Sequence, residues 1–148
     1  MSTAGENLSI EVLSSSAMDI VEEIVGLLKN IDLSDMVPIP TPEQETTNLY
    51  HCKPTFALFD AVRRLVKEMP FIMKKDPVPG YNFFRLLVGE SRPVSVSTGP
   101  AYLINVRPLK GTPTLGNTPF ELGTATLIKA SVIVSPSLDF LAISRPDS

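Results

Sequence analysis

The sequence predicts an α+β fold in which N-terminal helices pack against a small, mainly antiparallel β-sheet. Two segments before residue 70 repeat apolar residues at helical spacing, whereas from Arg92 onward apolar and polar residues alternate between glycines and prolines. Prolines number 14 in 148 residues, about twice the usual share, and cut the chain into short elements joined by many loops. Helices first and strands afterwards favour antiparallel pairing over an alternating parallel sheet. A chain of this length fits one domain and can bury roughly 70% of its unfolded surface.

Residues 1–14 are polar and are expected to be loose. Ser16, with Asp19 three residues on, resembles a capping box. Ile20, Ile24, Leu27, Leu28 and Ile31 then recur at helical spacing, with Asp19, Glu22, Glu23 and Lys29 on the polar side, so an amphipathic helix is expected over 16–30. In Val37-Pro38-Ile39-Pro40-Thr41-Pro42 the alternate prolines remove backbone donors and favour an extended polyproline strip, so 37–48 is expected to be a linker or docking arm. Thr55 is a candidate N-cap for a second helix ending before Pro70, with Phe56, Phe59, Val62, Leu65, Val66 and Met69 as its apolar face. A turn-rich basic loop covers 74–80, and the apolar stretch Tyr81–Val88 fits a helix or a strand equally well. Strands are expected at Val94 and Val96, at Tyr102–Val106, and as one long strand over Thr124–Val134, with 111–119 as a long loop. This divides the chain into an acidic arm, 1–48, and a globular core, 49–148.

Charge follows the same division. Residues 1–50 hold nine acids and one base, a net −8, and residues 51–148 hold twelve bases and seven acids, a net +5. Halves of opposite sign attract each other or different partners.

Material for an active site is scarce. The sole cysteine, Cys52, has no disulfide partner within the chain, and with the sole histidine, His51, it falls short of a four-ligand zinc site; a reducing compartment suits it. Neighbours on an extended chain point to opposite faces, so His51 and Cys52 are poorly placed to act as base and nucleophile. The acids crowd the polar side of the first helix, where solvation explains them, and Gly111–Gly116 lacks the Lys-Ser/Thr ending of a phosphate-binding loop. We therefore expect a non-enzymatic protein with no metal, no cofactor, no small-molecule substrate and no specific nucleic-acid sequence to recognise. No basic stretch precedes an apolar run at the start, and no apolar run approaches the roughly 20 residues of a spanning helix, so an intracellular protein with peripheral membrane contact is expected.

Two candidate surfaces remain. Arg63, Arg64, Lys67, Lys74 and Lys75 form a basic set suited to an anionic lipid surface or a nucleocapsid, unless they are only the solvated side of a helix. Pro38, Ile39, Pro40 and Pro42 form a stiff strip that loses little entropy on docking, and are expected to mediate self-association.

The order of features also resembles a known family. A helix at Phe56–Met69, a basic turn, the apolar stretch Tyr81–Gly89, Ala101-Tyr102-Leu103, the run Gly111-Thr112-Pro113-Thr114-Leu115-Gly116-Asn117-Thr118-Pro119-Phe120, and Gly123 before an apolar strand are similar to the core of vesiculovirus-like rhabdovirus matrix proteins over about residues 55–135. The resemblance implies a viral structural protein of the virion that self-associates and bridges nucleocapsid, through the viral nucleoprotein, and the inner membrane leaflet in the host cytoplasm. The departures are an acidic arm where that family has a lysine-rich one, and neither a Pro-Pro-x-Tyr nor a Pro-Thr/Ser-Ala-Pro motif. The alternative is a cytosolic adaptor that recognises another protein through its acidic amphipathic helix, with no membrane or assembly role.

Overall fold

The structure, a computed structural model, describes residues 9–39, 47–53, 55–70, 72, 80–94, 100–129 and 131–144. In chain order the elements are β1 (Ser9–Val12), α1 (Ser15–Lys29), a 3-10 turn (Leu33–Asp35), β2 (Met36–Pro38), β3 (Leu49–Cys52), α2 (Phe56–Lys67), β4 (Tyr81–Leu86), β5 (Arg92–Val94), β6 (Ala101–Pro108), β7 (Thr114–Leu115), β8 (Thr118–Pro119), β9 (Thr124–Ile128), β10 (Val132–Val134) and β11 (Leu138–Ser144). Seven strands form one sheet in the order β1-β9-β6-β11-β4-β3-β2, and four form a second in the order β5-β10-β7-β8. Every paired strand in both sheets runs antiparallel to its neighbour.

The period of two along the strands makes three layers. From β6 and β11, Tyr102, Ile104, Leu141 and Ile143 face α1 and α2, while Leu103, Leu138 and Phe140 pack with Leu115 and Val134 of the second sheet and with Phe120 just after β8. The large sheet is therefore buried on both faces at its centre, and the fold is mixed α+β.

Several expectations change here. α1 begins at Ser15 because Ser14, not Ser16, is the N-cap: its side chain accepts from the Ala17 N–H. The segment expected to be a separate arm adds strands to both edges of the large sheet, β1 pairing with β9 and β2 with β3, and α1 packs on α2 and β6. Of the apolar side expected for α1, Ile24 and Leu28 are core, together with Ala17 and Val21, whereas Ile20, Leu27 and Ile31 are only partly buried against it. The start of the proline strip is sheet: Pro38 lies opposite Tyr50, and the Ile39 N–H bonds to the Leu49 carbonyl. Pro40 and Pro42 lie outside the described residues. Tyr81–Leu86 is a strand. The stretch expected as one strand over 124–134 is two, β9 and β10, in different sheets, and the loop expected over 111–119 contains the β7–β8 hairpin.

Two buried arginines tie these pieces together. Arg85 on β4 makes a two-pronged pair with Asp139 on β11, at 2.7 and 3.1 Å, and donates to the carbonyls of Leu28 and Ile31 at the end of α1. The Leu28 carbonyl, which also accepts from the Ile31 N–H, belongs to the last turn of α1 and the Ile31 carbonyl follows it, so the guanidinium adds hydrogen bonds and positive charge at the negative end of the helix. A bulge between β6 and β11 brings Arg107 within 3.7 Å of the same carboxylate. Arg92 on β5 donates to Thr47, Asn48 and the Ile39 carbonyl, holding the chain on either side of residues 40–46.

Candidate functional site

α2 starts at Thr55, whose hydroxyl accepts from the Leu58 N–H at 3.1 Å, as its candidacy as N-cap predicted. Leu58, Ala61, Val62, Leu65 and Val66 are buried, and at about 3.6 residues per turn they fix which side of the helix faces the core. Phe56 then falls on the opposite pole, aligned with Phe59, Asp60, Arg63 and Lys67. Its side chain is 84% exposed and that of Phe59 40%. Both belong to the apolar face expected from the sequence; the spacing Leu58, Val62, Leu65, Val66 is the signal that excludes Phe56. The Phe59 ring meets Tyr81 of β4 at 6.5 Å, and burial pushes the Tyr81 hydroxyl pKa above its usual value.

The five bases expected to form one patch are distributed unequally. Arg64 bonds to Glu23 of α1 and to Asp60, so it links the two helices. Arg63 bonds to Asp60 at 2.7 Å. The hydrogen bonds from Arg63 and Arg64 hold the Asp60 carboxyl below its usual range, and that from Arg64 does the same for Glu23. Lys67 is exposed and forms no ion pair among the described residues. Lys74 and Lys75 lie outside the described residues. What remains is one outward stripe that carries Phe56, the Asp60–Arg63 ion pair and Lys67, unpaired among the described residues.

Elsewhere the titratable side chains do structural work. His51 and Cys52 diverge on β3: the imidazole lies 3.0 Å from the Asn82 side chain and against Phe84, and Cys52 is in the core beneath the helices. Burial pushes the Cys52 thiol up, away from the thiolate. Among the described residues no three His, Cys, Asp or Glu side chains are grouped to hold a metal ion, and no helix is long and apolar enough to cross a membrane. The apolar side of α1 is buried, leaving its acidic side, with Asp19, Glu22 and Glu23, in solvent.

No family model, no curated protein and no solved structure matches the chain.

Proposed function

We propose that this chain is a non-enzymatic structural protein of the matrix kind, which lies against an anionic membrane leaflet through the outer stripe of α2 and works as an assembly of copies. The observation that carries the membrane half is Phe56, a solvent-exposed ring on the same stripe as Arg63 and Lys67. An exposed phenylalanine beside bases gains by entering the headgroup region, and each base near a negative surface contributes about 1 kcal/mol. The nucleocapsid half rests on the resemblance of residues 55–135 alone.

Co-sedimentation with phosphatidylcholine vesicles, with and without phosphatidylserine, tests the membrane half. Binding is expected to require the anionic lipid and to fall as salt rises. Lys67→Gln should weaken it about fivefold, the equivalent of one such charge, and Phe56→Ser should weaken it while leaving the salt dependence intact. Binding that ignores lipid charge, or that survives both substitutions unchanged, overturns the reading.

A further inference from the structure

Among the described residues the two sheets have four edge strands, and three of them turn a proline outward. In β2 the Ile39 N–H bonds inward to Leu49, so the alternation of hydrogen bonds turns Pro38 outward. In β8 the Phe120 N–H bonds to the Pro113 carbonyl, which turns Pro119 outward. In β5, Pro93 lies opposite Ile133, whose carbonyl is bonded on its other side to Gly116, so Pro93 also faces away from the sheet. At each of these edges the residue that would offer a main-chain donor to a newcomer has none, a recognised protection against stray strand pairing.

The fourth edge, β1, has no proline. The Leu13 N–H bonds to the Gly123 carbonyl, and the register runs Ser9↔Leu127 to Val12↔Thr124. Ser9, Glu11 and Leu13 therefore turn their main-chain groups toward β9, while Ile10 and Val12 turn theirs outward. The side chains of these two residues are 46% and 81% exposed, and Leu122, two positions before the partner of Val12, is 51% exposed. Apolar side chains and open donors thus coincide at the one edge that proline leaves free.

We infer that β1 pairs antiparallel with β1 of a second copy, joining two large sheets into one across a two-fold axis. This rests on the assembly role proposed above and names its contact. The strand is complementary to itself: centred on Ile10, the pairing sets Ile10 against the second copy's Ile10 and Glu11 against the second copy's Ser9 hydroxyl, with no carboxylate opposite a carboxylate. A two-fold contact uses both β1 edges, so this contact closes on itself and its product is a dimer and not a fibre. Ser9, Ile10 and Glu11 of each strand, three residues, make a small interface, so association is weak and depends on concentration.

Sedimentation velocity of the full chain up to about 1 mM, where contacts of a few kcal/mol become populated, is the test. A dimer is expected that disappears in Val12→Pro and in Ile10→Lys, both at positions whose N–H β9 does not use. Should Val12→Pro lower the melting temperature, Ile10→Lys decides. Oxidation of Ile10→Cys should yield a disulfide dimer, since Cys52 is buried and facing strand residues lie within disulfide reach. A wild-type chain that stays monomeric throughout, or a dimer that persists in the folded variants, overturns the inference. Vesicle binding is read separately: its absence in the wild type would sink the membrane role and leave the β1 contact standing.

Discussion

Arg85 and Asp139 show how much can hang on one pair of side chains. They are 8% and 1% exposed, and the arginine also closes the last turn of α1. Asp139→Ala would leave a buried guanidinium without its counter-charge, and urea denaturation should show a loss of about 3–5 kcal/mol; replacing both by Met and Leu should recover most of it. Neither residue stands out in the sequence, where a charge inside an apolar run reads as a solvent-facing position. The exposed bridge from Arg64 to Glu23 and Asp60 behaves differently. Both carboxyls are held below their usual values when folded, so the stability they add is present above their unfolded values and fades as pH falls below about 4.5 and on through the lowered ones. Melting curves from pH 6 to pH 3 should fall less steeply in Arg64→Met than in the wild type, the difference shrinking in high salt.

At the scale of elements, the helices were legible and most strands were not. α2 could be drawn from Thr55 and its apolar spacing, and Thr55→Ala should cost about 1 kcal/mol in chemical denaturation. For α1 the cap discriminates: Ser14→Ala should cost about as much, and Ser16→Ala, an exposed residue inside the helix, no more than about 0.5 kcal/mol either way. β11 escaped notice because Leu138–Phe140–Leu141–Ile143 are apolar toward both layers, which erases the alternation that marks a strand with one wet face. β9 and β10 read as one strand because nothing in their composition marks the change of sheet. The edge strands β1, β2 and β8, two to four residues long, gave no periodic signal, whereas Val94 marked β5. The basic set was visible, but not that Asp60 and Glu23 engage two of its members.

For the molecule as a whole, two surfaces with different physics should separate under salt. Adhesion through Lys67 and Arg63 weakens as ions screen it, while β1 pairing, built from main-chain bonds and Ile10 and Val12, should hold; vesicle binding and sedimentation measured across the same salt series would show the two curves diverging. The order of the large sheet carries a different consequence. β11, later in the chain than every other described element, is the middle strand, between β6 and β4. A growing polypeptide therefore reaches residue 138 with its sheet in two unjoined halves and the end of α1 still waiting for Asp139. On the ribosome the two halves have to keep their inner edges apart until that strand is made. The fold closes from its centre, and only when this stretch has left the exit tunnel.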